Sequence, residues 1–166
     1  LDNYREVLAG SDFPRWFLNS FLVAGITTLS VLVFDPLLGY AFCKYRFRGK
    51  EAIFTMLLST MMIPTEMMII PWYMMVNQLG WNNTYWSMLF PGLSSAFGIF
   101  LMRQFFTGVP DELLDAGRID GLSEFGVYTR IALPLVTPAL SALGIFTFLG
   151  NWNSFLWPVI ALDSKE

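Results

Sequence analysis

The sequence contains no histidine and a single cysteine, Cys43. The first absence removes the commonest metal ligand and the commonest general base at neutral pH. A zinc centre or a Ser-His-Asp triad is therefore not expected. The second rules out an internal disulfide. Charge is also scarce: 14% of the 166 residues are Asp, Glu, Lys or Arg, against about 25% in an average soluble domain. There is no basic tail for nucleic acid, and the net charge of −3 carries no information about fold. No Gly-x-x-x-x-Gly-Lys-Ser/Thr run is present, so nucleotide binding by a P-loop is not expected. The chain opens with Leu1 and polar residues and ends just after an aromatic, apolar run. That pattern is expected of a piece cut from a longer protein at both ends.

What is abundant is apolar: 55% of residues are hydrophobic and 17% aromatic, the composition of a polytopic membrane protein. Four runs reach the about 20 residues needed to cross a bilayer: 19–43, 52–76, 85–106 and 131–149. A shorter apolar piece covers 154–162. The runs are continuous rather than alternating, and lipid admits only helices or closed barrels. The expected fold is all-α, a polytopic transmembrane bundle of four spans forming one domain over 1–166, with a polar segment at 109–130 inside it.

Charge orients the bundle. Lys44, Arg46, Arg48 and Lys50 crowd the first connection, and Arg103, Arg118 and Arg130 lie at or in the third. Arg5, Arg15 and Lys165 sit near the chain ends. The positive-inside rule makes the first group cytoplasmic. All six tryptophans, at 16, 72, 81, 86, 152 and 157, fall on the opposite side, where amphipathic rings rest among headgroups. Segment 109–130 is then cytoplasmic.

Several features inside the spans have two readings. Pro36 is expected to free a carbonyl and kink the first span. Asp35 beside it is either a functional ionisable group in the membrane or an acid near the cytoplasmic end, hydrated by the basic loop. Glu66, between Pro64 and Pro71, either lines an aqueous pathway or is interfacial. The methionines from Met56 to Met75 serve either a moving helix contact or plain packing and lipid contact. Gly92, Ser94, Ser95, Ala96 and Gly98 make a small-residue patch for close helix approach.

Segment 109–130 reads through capping chemistry. Pro110 suits a first helical position, and Asp111 and Glu112 favour the positive end of a helix. The helix is expected to run to about Asp120 and to stop at Gly121, which tolerates a left-handed conformation. Ser123 caps a second helix carrying Phe125, Tyr128 and Ile131 toward the fourth span, with Pro134 and Pro138 allowing a bend. Leu113, Ala116 and Gly117 share one face by their i, i+3, i+4 spacing. That small-centred face suits close approach by another backbone. An interfacial helix on lipid would favour basic flanks; this one is acidic, which points to a protein partner.

Here the residues carry a resemblance. The run from Glu112 to Leu140 resembles the cytoplasmic coupling motif of ABC importer permeases: Asp115-Ala116-Gly117 stands for Glu-Ala-Ala, followed by Asp120-Gly121 and by Pro134-Leu135 with Pro138. The runs "NSF" at 19–21, "YRFRGK" at 45–50, "MMIPTEMMIIPWY" at 61–73, "LGWNNTYW" at 79–86 and "NWNSFLWPVIAL" at 151–162 are similar to landmarks of the carbohydrate branch, the maltose-type second permease. The resemblance covers nearly the whole chain. It implies a permease in a bacterial or archaeal plasma membrane that pairs with a homologous second permease. Its cytoplasmic helix would dock on an ABC ATPase dimer, and an extracellular sugar-binding protein would deliver the substrate. No cofactor is implied, and ATP hydrolysis belongs to a partner chain. The family's second permease has six spans, which implies that the first and last are missing here.

The site residues implied for coupling are Glu112, Leu113, Asp115, Ala116, Gly117, Asp120, Gly121, Phe125 and Pro134. Polar candidates for the substrate pathway are Thr60, Glu66, Ser94, Ser95, Asn151 and Asn153. Gly117 and Leu122 depart from the family pattern, the second enlarging a tight spot, and Asp35-Pro36 is unusual for it. Other classes remain open at this stage. An ion-coupled secondary transporter would use Asp35 and Glu66. An intramembrane enzyme lacks histidine and paired carboxylates at one depth, and a non-transporting scaffold fits poorly with missing spans.

Overall fold

The computed structural model describes Val7, Gly10 and residues 11–162. Arg5 and Lys165, used above in the charge argument, lie outside the described residues. Helix α1, Phe13–Lys44, is 32 residues long. At about 1.5 Å per residue it extends about 48 Å, well past a hydrocarbon core of about 30 Å. It runs without interruption through the buried Pro36. There follow α2 (Lys50–Thr60), α3 (Ile69–Gln78), α4 (Tyr85–Leu89), α5 (Ala96–Thr107), α6 (Asp111–Ile119), α7 (Glu124–Leu135, with a π-helical turn at Tyr128–Ala132), α8 (Thr137–Trp152) and α9 (Leu156–Ala161). No strand occurs among the described residues.

Helix α1 is the axis of the packing. The third apolar stretch runs parallel to it: Asn19 meets Tyr85, Ser30 meets Leu93, Asp35 meets Ser94 and Ser95, and Lys44 meets Val109. Helix α8 runs antiparallel, with Phe17 against Trp152 and Phe21 against Phe148. The largest buried cluster includes Val31 and Tyr40 of α1, Met102 and Phe106 of α5, Leu114 of α6 and Leu143 of α8. Outward faces are apolar and bare, as a lipid or partner surface demands: Met56, Met62, Met67 and Met74 are all exposed, so this methionine run is not core.

Three of the four stretches depart from simple spans. The second is bent by 95° between α2 and a short 3-10 turn at Thr65–Met68 that leads into α3. Pro64 has no N–H to donate and pushes Ile63 out of the helical region. The third is interrupted at Leu93–Ser95, after a 3-10 turn at Phe90–Gly92. Pro91 removes a donor there, and Ser95 accepts a hydrogen bond from the Gly98 N–H at 2.8 Å, starting α5 afresh as its N-cap. The fourth bends by 79° at Val136, between Pro134 and Pro138, where the expected hinge lies.

The two ends differ in chemistry. Tryptophans gather at one: Trp152 against Phe17, Trp72 against Trp157, Trp81 against Trp86. Cations gather at the other, where Lys50 donates to the carbonyls of Cys43 and Tyr45 and Arg103 pairs with Glu51 while lying 3.9 Å from the Phe54 ring centre.

Close approach of α1 and α5 depends on Gly39. A Cβ there would stand 2.7 Å from the Met102 Cβ and 2.9 Å from the Arg103 amide nitrogen, whereas one at Gly25 would meet nothing within 4 Å. Gly39→Val is therefore expected to cost about 1–3 kcal/mol of stability through overpacking. Gly25→Ala should leave thermal unfolding in detergent unchanged or slightly improved. Equal melting behaviour for the two variants would contradict the packing described.

Candidate functional site

Segment 109–130 is built as the capping chemistry anticipates, with corrections in its faces. Helix α6 begins at Asp111 with Pro110 as N-cap in extended backbone, not as the first helical residue. Asp120 is its C-cap. Gly121 takes φ +86°, its N–H bonds the Arg118 carbonyl at 3.1 Å, and the Leu122 N–H bonds the Gly117 carbonyl at 3.0 Å. This pair of bonds is a Schellman motif. Its apolar companion is Leu122, whose side chain packs beside Gly117, so the larger residue here fills space rather than crowding a partner. Ser123 caps α7 by accepting from the Gly126 N–H at 3.2 Å.

The face assignment changes. Leu113 and Ala116 are exposed, but Gly117 is buried and faces the body of the protein, where a Cβ would collide with the Ile131 Cδ1. The anchoring residue is Leu114, only 1% exposed. Leu114 and Gly117 share spacing as well as Leu113 and Ala116 do, so periodicity alone could not choose between the two faces. The small centre of α6 thus admits α7 of the same chain. What remains outward is Glu112, Leu113, Ala116, Asp120, Ile119 at 86% exposure and Phe125 at 67%. Pro134 is also exposed, beside the bend. Phe125 does not share a buried face with Tyr128, which is buried against Tyr40 and Phe106.

Ionic contacts tie the segment to the end of α1. Lys44, its side chain 10% exposed, donates to the Val109 carbonyl at 2.7 Å and to Asp111 at 2.6 Å. Tyr45 donates to Glu124 at 3.1 Å, and Arg118 bridges Glu124 at 2.7 Å and Asp115 at 2.5 Å. An isolated exposed pair contributes about 0–1 kcal/mol, but Tyr45 and Arg118 share Glu124, and Lys44 of the other pair is nearly buried. The Lys44 hydrogen bond holds the Asp111 carboxyl below its ordinary range. The Arg118 hydrogen bond does the same for Glu124, and Glu124 in turn raises Arg118. In the sequence Lys44 carries only a topological signal, because its partner Asp111 lies 67 residues away.

The pathway candidates separate. Asn151 lines a cavity of about 330 Å³ at the tryptophan end together with Arg15, Asn19, Tyr85, Trp152 and Ser154, and it also lines an adjoining cavity of about 200 Å³. Asn153 is exposed and donates to the Leu149 carbonyl. Thr60 ends α2, donating to the Leu57 carbonyl, and Glu66 is exposed in the 3-10 turn. Ser94 and Ser95 are committed to Asp35. The Ser94 Oγ lies 2.7 Å from Oδ1, the Ser95 Oγ 2.9 Å from Oδ2, and the Ser95 N–H 3.1–3.2 Å from both oxygens. Asp35 is fully buried, which overturns the reading in which the basic loop hydrates it. Placing such a charge at mid-span costs about 3 kcal/mol. The two serine hydroxyls and the Ser95 amide supply the hydrogen bonds that a buried carboxyl needs, and the carboxyl lies at the positive end of α5.

Residues 36–164 match the family model described as binding-protein-dependent transport system inner membrane component. The chain belongs to this family. As an inner membrane component whose four apolar stretches, three of them interrupted, are long enough to cross a membrane, it is a multi-pass membrane protein. It is 39% identical over 166 residues to the arabinooligosaccharides transport system permease protein AraQ of Bacillus subtilis, covering 99% of this chain and 59% of that protein. It is 36% identical to the lactose transport system permease protein LacG of Rhizobium radiobacter, covering 99% and 60%. It is 37% identical to the sn-glycerol-3-phosphate transport system permease protein UgpE of Escherichia coli K12, covering 93% and 55%. Among solved structures it resembles a bacterial ABC transporter involved in import of the acidic polysaccharide alginate, with a TM-score of 0.87 at 26% identity over 97% of this chain and 57% of that one. The chain thus spans under two thirds of the length of these inner membrane components.

The ionic ties of segment 109–130 have a defined pH range. Both carboxyls are depressed from ordinary values of 3.8 and 4.5, so their contribution is complete above those values and is lost as pH falls through the lowered ones. Hydrogen exchange of the 109–124 amides is expected to show constant protection from roughly pH 5 to 8, after correction for intrinsic rates, with loosening only below roughly pH 4. Lys44→Met should loosen the segment at neutral pH. Protection that changes through pH 6–7 would show that other groups hold it.

Proposed function

We propose that this chain forms part of a membrane-spanning permease subunit of an ATP-driven importer of sugars or sugar derivatives. Segment 109–130 lies on the cytoplasmic side and couples the spans to an ABC ATPase dimer. A homologous second permease completes the pathway, and an extracellular binding protein delivers substrate to the tryptophan end. The single observation that carries this reading is the build of the segment. A short helix ends in a Schellman turn at Gly121 and leads through a Ser123-capped helix and the Val136 bend into the fourth span. Leu113, Ile119 and Phe125 stay exposed beside it. Such a segment is stiff, has one defined elbow, and offers apolar contacts with an acidic rim to a soluble partner. Membership of a binding-protein-dependent transport family supports the same reading, as do relatives named for arabino-oligosaccharide, lactose and glycerol phosphate transport.

Within the segment, Leu113, Ala116 and Phe125 are assigned to contact with the ATPase, with Glu112 and Asp120 at the rim. Asp115, Gly117, Gly121 and Pro134 set its shape. Asn151, at the wall shared by both cavities, is the pathway candidate best placed to meet a hydroxyl-bearing substrate. An ion-coupled transporter is not favoured, since Asp35 is engaged by serine donors and Glu66 stands exposed at a turn.

Reconstituted with its partner chains, the wild-type transporter is expected to take up labelled lactose or arabino-oligosaccharide only with ATP and binding protein. Gly121→Val forces a β-branched residue into the left-handed region, and Phe125→Glu places a charge on the outward face. Each should lower uptake by about tenfold or more and weaken ATPase co-purification, as expected for an interface anchor. Wild-type uptake and ATPase binding in both variants would refute the coupling role.

A further inference from the structure

The three interrupted stretches differ in how their breaks are held. At the break of the second, the side-chain hydrogen bond of Thr60 reaches only its own helix, at Leu57, and at the Val136 bend that of Thr137 reaches only Pro134. At the break of the third, the fastening comes from α1, about 60 residues away in sequence. Ser30 donates to the Leu93 carbonyl at 2.7 Å, and Asp35 accepts from the Ser94 hydroxyl, the Ser95 hydroxyl and the Ser95 amide. Donor and acceptor groups exposed by the unwound turn are thus both met by one helix. The shape is matched too: a Cβ at residue 98 would collide with the Asp35 Oδ2.

The same pair of elements is joined at both ends. Asn19 receives the Tyr85 hydroxyl beside the larger cavity, and Lys44 holds Val109 and Asp111 where α6 begins. Without the central fastening, the third stretch would be two helices with a free joint. With it, the stretch and α1 form one body that reaches from α6 to the cavity.

Building on the permease reading above, we infer that Asp35 is a positioning residue for transport: it locks the broken third stretch to α1, so that displacement at the cytoplasmic segment reaches the tryptophan-end cavity as a rigid motion. The second and fourth stretches, whose breaks lack such a lock, supply the hinges. The Ser95 amide can only donate and faces both oxygens of the Asp35 carboxyl, so an acceptor is needed on either side. Asparagine, of the same size, would put an NH₂ group in place of one of the two oxygens that the Ser95 amide faces.

The test uses the assembled transporter in proteoliposomes. Asp35→Asn and Ser94→Ala are expected to raise hydrogen exchange of the Ser95 and Gly98 amides by about tenfold or more. Import should fall by about tenfold while ATP hydrolysis stays within about twofold of wild type, the signature of lost coupling between sites. Ser95→Thr, which keeps the hydroxyl, should retain import. Unchanged exchange at these amides overturns the lock. Unchanged import, or import and hydrolysis falling together in equal amounts of assembled transporter, overturns the positioning role. If Asp35→Asn fails to assemble, Ser94→Ala, which removes a donor to Asp35 and leaves the Ser95 cap of α5 in place, decides the same question. A wild-type transporter that imports nothing with ATP overturns the permease reading instead, and the exchange measurement then decides the lock independently.

Discussion

An interrupted helix inside a membrane has to satisfy its backbone without water. At the third stretch of this protein the requirement is met from a neighbouring helix, where Ser30 and Asp35 of α1 meet the unwound Leu93–Ser95 turn. The arrangement accounts for several features that otherwise look unrelated. It explains an acid at mid-span, glycine at 98, serine at 94 and 95, and the parallel register of α1 with the third stretch. The acid lies at the start of α5, so the partial positive charge of that helix end is matched by a carboxylate rather than by solvent.

From this axis the rest of the bundle is hung. Helix α8 lies antiparallel on α1, and Gly39 lets α5 come close at the basic end. There α6 and α7 are attached through Leu114, Gly117 and Tyr128 inside and through Lys44, Tyr45 and Arg118 outside. The outward residues Leu113, Ile119 and Phe125 are left uncovered. A segment fixed on its inner face and apolar on its outer face has the build that the proposed coupling role requires.

Much of this was legible beforehand. Long apolar runs, the cation and tryptophan segregation, the Gly121 stop, the Ser123 cap and the Pro134–Pro138 bend all depend on local chemistry, which acts over a few residues. The face of α6 was not legible. Leu113 and Leu114 are adjacent, and each has a small residue three positions on, so either could be core by spacing alone. Nor was the break at Ser95, because Ser94, Ser95 and Gly98 also suit an unbroken small-residue contact.

What the sequence determined by itself is therefore the membrane class, the polarity of the two ends, the stops and caps of segment 109–130, and the family its motifs resemble. These are properties of composition and of neighbours along the chain. Only the tertiary structure decided which face of α6 is buried, that Lys44 and Asp111 meet, and that Asp35 is an internal fastening rather than a hydrated acid near the basic loop. Each of those depends on partners about 10 to 67 residues distant, and helical periodicity, which repeats every few residues, holds no record of where a distant segment will return.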